Sequence, residues 1–220
     1  RPSAFEGHIF ASPVDPDGYM AMIVYKNGLL TRAAIRDAVA GGSWSRFEAL
    51  LAARPPGNGG QIGFYYLEPE ITPPVRRTGM RRFAAGGQPT PTFAPEAEVR
   101  AIVEGQFLSM RLHSGNIGLR PTSILATGGA SANRAILRVM ANVFGVPVFT
   151  GDQPNSAALG AAYRAWHGWT CATASRFVPF AEVMRAAPPF TRAVEPDAQA
   201  HATYTALLET YARLETDGWA

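Results

Sequence analysis

One short segment, residues 123–137, constrains the fold of this chain more than any other. A short apolar run leads into the glycine pair Gly128-Gly129, and an amphipathic pattern begins directly after it. This order is typical of a strand, a tight turn and a helix. Glycine reaches backbone conformations closed to other residues and leaves no Cβ atom in the way of a ligand, and a helix N-terminus attracts anions. The segment therefore predicts either a plain βα turn or a nucleotide-binding turn, in which Ser131 and Asn133 cap the helix or bind the ligand.

Two other nucleotide-binding motifs do not fit this chain. The dinucleotide pattern G-x-G-x-x-G needs a third glycine that does not follow Gly129 at the required offset. A P-loop needs a lysine after its second glycine, and Lys26, the only lysine, stands in a Tyr-Lys-Asn-Gly turn. What remains, if the turn binds a nucleotide, is a glycine-pair site in an α/β domain, which resembles the actin and hexokinase type of ATP-binding fold.

Composition narrows the class of partner. The net charge is only +3, and the one local arginine cluster, at residues 76–82, lacks interleaved aromatic residues and lies in a stretch rich in proline and glycine. We expect a solvated loop there and no nucleic-acid partner. Cys171 is the only cysteine, which is typical of a reducing compartment, and we expect a cytoplasmic protein. No apolar run approaches the roughly 20 residues of a membrane span, so no membrane contact is predicted.

Hydrophobic periodicity and turn residues predict the order of elements. We expect strands at 8–14 and 19–25, a short strand at 29–31, helices at 32–39 and 43–51, a strand at 63–67, a surface loop at 68–95, a long helix containing residues 99–110, a strand at 123–126, a helix at 133–144, a strand at 146–150, and helices at 155–166, 179–187 and 197–216. Gly105 lies inside the long helix, and a glycine there usually permits close packing of another backbone. In the alanine-rich helix at 155–166, we expect a buried face formed by Ala158, Leu159, Ala162 and Tyr163. A hairpin followed by βαβα units predicts a mixed α/β domain.

An ordered series of segments identifies a resemblance. The series comprises Ile124-Leu-Ala-Thr-Gly-Gly-Ala-Ser-Ala-Asn133, then Val146-Pro-Val, then the segment 155–165, together with Ser43-Trp-Ser45 and Gly57-Asn-Gly-Gly60. These segments resemble the C-terminal domain of the FGGY carbohydrate kinases, and most closely the branch of that family that acts on xylulose. The resemblance runs over nearly the whole chain and is weakest around residues 74–95 and after about residue 170.

The resemblance implies a fold, a site and a reaction. The fold is an actin-like, ribonuclease H-like ATPase domain with a mixed sheet flanked by helices, and residues 1–220 would be most of this second domain, incomplete at its N-terminal side. Gly128, Gly129, Ala130 and Asn133 would line the ATP site, and Trp44 would lie against the nucleotide. An indole does offer a flat apolar face for a base. The reaction would be phosphorylation of D-xylulose to D-xylulose 5-phosphate, with ATP and the ketopentose as small-molecule substrates.

The same resemblance implies that no catalytic residue lies in this chain. The family's base is an aspartate expected upstream of residue 1, and an N-terminal domain is the implied partner, so we expect the chain alone to be inactive. Asp152 follows a late strand, and a role in helix capping or in a surface turn is favoured for it over that of the base. The four histidines show no metal spacing, and Mg²⁺ would be held by the phosphates of ATP and by carboxylates outside this chain. Two alternatives stay open: an actin-like ATP-binding module without kinase activity, and a related sugar or polyol kinase.

Overall fold

An antiparallel hairpin comes first in the described part of the chain. The computed structural model describes residues 7–151 and 155–218. Strands β1 (His8–Ala11) and β2 (Tyr19–Met22) pair antiparallel, with His8 opposite Met22. The turn between them is closed by a hydrogen bond from the Gly18 N–H to the Asp15 carbonyl. The predicted hairpin is confirmed, with strands shorter than expected.

Two short helices follow the hairpin. They are α1 (Leu29–Ala40) and α2 (Trp44–Ala52). The strand predicted at 29–31 is wrong, because the Arg32 N–H already donates to the Gly28 carbonyl and these residues form the first turn of α1. A three-residue apolar run has no period by which the sequence could distinguish a strand from a helix. Ser43 and Ser45 are both candidate caps of this helix by sequence, and Ser43 is the cap in the structure, since its side chain accepts a hydrogen bond from the Arg46 N–H.

The long helix α3 (Pro95–Asn116) runs through the centre of the core. It packs against α1, α2 and strand β3 (Ile62–Tyr66). A Cβ atom added at Gly105 would lie 2.7 Å from the Gly63 carbonyl oxygen, a backbone atom of β3. The prediction that this glycine permits close backbone packing is therefore confirmed.

The loop predicted at residues 68–95 contains two strands. β4 (Gly79–Phe83) pairs antiparallel with β3, and β5 (Pro89–Thr90) pairs with β4. Arg82, from the arginine cluster predicted to be solvated, forms an ion pair with the buried carboxylate of Glu98. The prediction is wrong here because β4 has little apolar alternation of its own and is held by pairing with a distant strand.

The segment around the glycine pair forms a mixed sheet with a helical crossover. Strands β6 (Ile124–Ala126) and β7 (Val148–Thr150) are parallel and are connected through helix α4 (Arg134–Phe144), while β8 (Thr191–Val194) pairs antiparallel with β7. A 3-10 turn, Gly129–Ala132, lies between β6 and α4. The predicted strand–turn–helix order is confirmed, with this extra turn ahead of the helix.

The remaining helices are α5 (Ser156–Ala174), α6 (Phe180–Val183) and α7 (Ala198–Gly218). The buried face predicted for α5 is wrong for Ala158 and Ala162, which are exposed, whereas Leu159 and Tyr163 are half-buried. The fully buried residue of this helix is His167, bonded through Nε2 to the Val178 carbonyl. Alanine spacing predicts a helix but not which element covers it. The helical spacing of Tyr204, Leu207, Leu208, Tyr211 and Leu214 predicts one apolar face of α7. In the structure Tyr204, Tyr211 and Leu214 of this face are buried in the core, and Leu207 and Leu208 are partly buried against it. None of the helices in residues 7–151 and 155–218 has the length and apolar content that a bilayer span requires.

Candidate functional site

A cleft of about 340 Å³ opens between the first turns of α1 and α2 and the start of α4. This volume lies in the range of small-molecule sites. The side chains and glycine that line it are Leu29, Arg32, Trp44, Glu48, Gly129, Ala132, Asn133 and Ile136. Trp44, Gly129 and Asn133, which the sequence predicts as nucleotide-binding residues, therefore converge on one cleft although they are far apart in the chain.

The glycine turn forms one rim of the cleft. Gly128 has a φ of 80°, a left-handed conformation that other residues adopt only with strain. Gly129 starts the 3-10 turn that also contains Ala130, and a Cβ atom added at Gly129 would meet no protein atom within 4 Å. Ser131 bonds the turn itself, through Oγ to the Gly128 carbonyl. Gly128 is thus required by the turn geometry, whereas the place of a side chain at Gly129 is open space beside the cleft.

Asn133 is fixed by two hydrogen bonds within the chain. Its Oδ1 atom accepts from the Ile136 N–H at 3.1 Å, which caps α4. Its Nδ2 atom donates to Oε1 of Glu48 at 2.7 Å and so connects α4 with α2. The amide of Asn133 is therefore held at the cleft wall in one orientation, with one further donor hydrogen and one further lone pair left for a ligand.

The Trp44 indole is also held in place. The guanidinium carbon of Arg36 lies 4.6 Å from the centre of the indole ring, in a cation–π contact. The Phe47 ring packs against the indole edge-on, with 5.3 Å between ring centres. Since Trp44 is the first residue of α2 and remains partly exposed at the cleft, it offers a rigid apolar surface there.

Two polar residues of the cleft were not predicted from the sequence. Glu48 follows Trp44 by four residues on α2, and Arg32 follows Leu29 by three on α1. In each case the pair shares one helix face, so helical spacing from a known site residue is the signal that could have identified Glu48. No equivalent signal was available for Arg32, because residues 29–31 were expected to form a strand.

A buried polar network fixes the start of α1 at the cleft. Glu70 accepts hydrogen bonds from the backbone N–H groups of Lys26 and Asn27 at 2.7 and 3.0 Å. The side-chain amide of Gln106, on α3, donates to the carbonyls of Asn27 and Gly28 at 2.7 and 3.0 Å. Gln106 then accepts from Nη1 of Arg32. Burial lowers the pKa of the Arg32 guanidinium from its ordinary value, although an arginine remains charged at neutral pH.

Other parts of the described chain offer less for a ligand. A second cavity, of about 40 Å³, lies among residues of β3 and α3 and has room for only one or two water molecules. In residues 7–151 and 155–218, no three His, Cys, Asp or Glu side chains are grouped so that they could hold a metal ion. His113 is buried against Glu215, with 2.8 Å between Nε2 and Oε2. Asp152 lies outside the described residues.

Comparisons with known proteins point to one family. Residues 2–169 match the C-terminal domain of the FGGY family of carbohydrate kinases. The chain is 46% identical to xylulose kinase of Mus musculus over 215 residues, which is 96% of this chain and 38% of the mouse protein. It is also 46% identical to xylulose kinase 2 of Arabidopsis thaliana over 192 residues, 82% of this chain and 34% of that protein. The chain thus spans little more than a third of the length of these relatives.

The fold has close counterparts among solved structures. The crystal structure of xylulose kinase from Rhodospirillum rubrum superimposes with a TM-score of 0.77 over 96% of this chain and 42% of that one, at 20% sequence identity. At this identity the similarity concerns the fold alone. It confirms the predicted α/β fold class, that of the actin-like domain found in sugar kinases.

Proposed function

Because the chain belongs to the FGGY family of carbohydrate kinases, as its C-terminal domain, we propose that it forms the ATP-binding part of a xylulose kinase. The reaction is transfer of the γ-phosphoryl group of ATP to a hydroxyl oxygen of D-xylulose, which gives D-xylulose 5-phosphate and ADP. We assign the whole of residues 1–220 to this domain, since α7 packs onto the same core as α3.

The observation that supports the proposal most is the composition of the cleft. It combines an apolar wall, from Trp44 and Ile136, with a rim made by the glycine turn. A nucleotide needs both features, because its base is flat and apolar on its faces whereas its phosphates need close approach to backbone N–H groups. We propose that Trp44, Gly128, Gly129, Ala130 and Asn133 all contribute to nucleotide binding.

In this proposal the chain holds and orients ATP and does not itself take up the proton. Phosphoryl transfer depends mainly on positioning and on electrostatic stabilisation of the transferred group. The fixed indole of Trp44 and the fixed amide of Asn133 restrict where the nucleoside can lie. That restriction aims the phosphates at the sugar and favours in-line attack by its hydroxyl oxygen.

The rest of the reaction is assigned outside residues 1–220. We propose that an aspartate elsewhere in the protein accepts the proton of the sugar hydroxyl and that an N-terminal domain supplies most of the sugar pocket. Mg²⁺ would neutralise phosphate charge and be held by the phosphates themselves and by carboxylates of other segments. A cytoplasmic location remains a prediction.

A steady-state assay on the full-length protein tests the proposal. ADP release is measured with ATP and Mg²⁺ and with D-xylulose, D-ribulose, gluconate or glycerol as acceptor. D-Xylulose should give the highest kcat/KM. Turnover on another acceptor with none on D-xylulose would support a related sugar or polyol kinase, and nucleotide binding without turnover on any acceptor would support a non-catalytic module.

Trp44→Ala tests the cleft itself. Loss of the apolar contact should raise the KM for ATP by a factor of roughly 5–30, equal to about 1–2 kcal/mol, and leave the KM for xylulose nearly unchanged. Trp169→Ala is the matched control, because Trp169 lies on α5 and is 66% exposed in this chain. An unchanged KM for ATP in folded Trp44→Ala would remove the indole from the site. Asn133 is a less specific probe, since its loss also uncaps α4 and costs about 1 kcal/mol of stability.

A further inference from the structure

Arg32 differs from Arg100, the other buried arginine of the described residues. Its residue surface is only 7% exposed, and its side chain lines the cleft. Nη1 donates to Gln106, but Nε is buried and has no hydrogen-bond partner in residues 7–151 and 155–218. A buried donor without an acceptor destabilises a fold by about 1–3 kcal/mol. A ligand that accepts a hydrogen bond from Nε would remove this penalty.

Two other arginines of this fold, the buried Arg100 and the half-buried Arg111, have guanidinium groups bonded to protein atoms. Arg100 donates from Nε to Glu104, from Nη1 to the Leu51 carbonyl and from Nη2 to the Tyr204 hydroxyl. Arg111 donates to the Val143 carbonyl and to the Thr205 hydroxyl, each at 2.9 Å. The unmet hydrogen bond is therefore a property of the cleft arginine and not of buried arginines in general.

The Arg32 guanidinium is nevertheless held in one place before any ligand binds. Gln106 accepts from its Nη1 atom while the Gln106 amide is itself anchored on the carbonyls of Asn27 and Gly28. A side chain ordered in this way loses little conformational entropy when it binds a ligand. The guanidinium of this cleft-lining residue is thus held in position before a ligand binds.

The charges of the cleft indicate which part of a nucleotide this donor meets. Glu48 lines the same cleft, so the two ionised side chains contribute one positive and one negative charge. A carboxylate repels phosphate groups, whereas an uncharged base or ribose is accommodated between a donor and an acceptor. We propose that Arg32 is a nucleoside-binding residue of this site, which donates a hydrogen bond to an acceptor atom of the base or the ribose. This proposal rests on the nucleotide-binding function proposed above.

The test compares adenosine with ADP as ligands of the full-length protein by titration calorimetry. Arg32→Met keeps the aliphatic stem and removes all donors, and it should raise the Kd of adenosine and of ADP by the same factor, about tenfold or more. Arg32→Lys retains a charge and donors and should restore part of the affinity. Arg111→Met is the matched control: burial also lowers the pKa of Arg111, but its Nη1 and Nη2 atoms donate to protein atoms and it does not line the cleft. It should leave both Kd values unchanged.

The possible results distinguish the proposed nucleotide site from the proposed role of Arg32 within it. Wild-type protein that binds neither ligand would contradict the nucleotide site as a whole. Wild-type protein that binds both, with unchanged Kd values in folded Arg32→Met, would contradict only the role of Arg32. A rise for ADP with none for adenosine would also overturn it, because the contact would then be to phosphate. Should Arg32→Met not fold, Arg32→Lys is measured alone, and equal affinity for both ligands in wild type and this variant would count against the proposal.

Discussion

The contact between α3 and β3 at Gly105 predicts that Gly105→Ala destabilises the protein, whereas helix propensity alone would predict that it stabilises it. Alanine favours a helix interior over glycine by about 0.5–1 kcal/mol, so Gly105→Ala would be expected to stabilise an isolated helix. In this fold the added Cβ atom would lie 2.7 Å from the Gly63 carbonyl oxygen, whereas ordinary contacts begin at 3.4 Å. The backbone of β3 or α3 must therefore move.

The size of the effect follows from these two contributions. Overpacking a core by one methyl group costs typically about 1–3 kcal/mol, and subtracting the helix-propensity gain of about 0.5–1 kcal/mol leaves a net loss that centres on about 1 kcal/mol and reaches about 2.5 kcal/mol at most. For a protein of this size, a net loss of about 1 kcal/mol lowers Tm by about 2–4 °C. Because Gln106 is the next residue, the displacement should also disturb the bond to Arg32 and weaken nucleotide binding.

The matched control is Gly115→Ala in the same helix. A Cβ atom there would meet only Nη1 of Arg120, at 3.5 Å, which is an ordinary contact at the end of a flexible side chain. Gly115→Ala should leave Tm unchanged or raise it slightly. Both variants are measured by differential scanning calorimetry beside wild type. If Gly105→Ala matched or exceeded wild type in Tm, the close contact of the two backbones would be refuted.

Three more predictions concern the glycine turn and the core. Gly129→Val should fold normally, because its Cβ would meet no protein atom within 4 Å. It should raise the Kd of ATP, measured by calorimetric titration, by an order of magnitude or more, because the side chain occupies ligand space. An unchanged Kd would mean that the turn has only a structural role. Gly128→Ala should instead lower Tm, since its φ of 80° strains any other residue by about 1–2 kcal/mol. Tyr204→Phe should lower the free energy of unfolding, measured by denaturant titration, by about 1–3 kcal/mol and leave the KM for ATP unchanged. The reason is that the hydroxyl donates to Glu104 at 2.7 Å and accepts from Arg100 at 2.9 Å, and both partners stay buried when it is removed. A loss of ATP affinity with normal stability would contradict this structural role.

Local signals in the sequence were sufficient for the elements that carry the site. The glycine pair predicted the turn between β6 and α4, and Asn133 stands where a helix cap is expected. Ser43 and Ser45 were the two candidate caps of α2, and either places Trp44 at the start of that helix, where the structure has it. Each of these features depends on neighbours within four residues, since caps and tight turns are formed by hydrogen bonds along the chain.

Features that depend on distant partners were missed. Strand β4 forms because it pairs with β3, and Arg82 is partly withdrawn from solvent because it forms an ion pair with the buried Glu98. The exposed face of α5 could not be read from its alanines, because burial depends on which element lies opposite. Such pairings are set by the packing of the whole domain, which overrides local propensity.

The sequence by itself determined the class of fold, the turn and the caps, because the hydrogen bonds behind them join residues close in the chain. The family resemblance predicted that Trp44 and Asn133 meet at one site. Only the tertiary structure decided that Glu48 joins them in the cleft, and that Arg32 lines it with a donor that no described protein atom satisfies. The reason is physical: a binding site is a set of distances between residues remote in sequence, and those distances are fixed by the packing of α1, α2 and α4 around the buried helix α3.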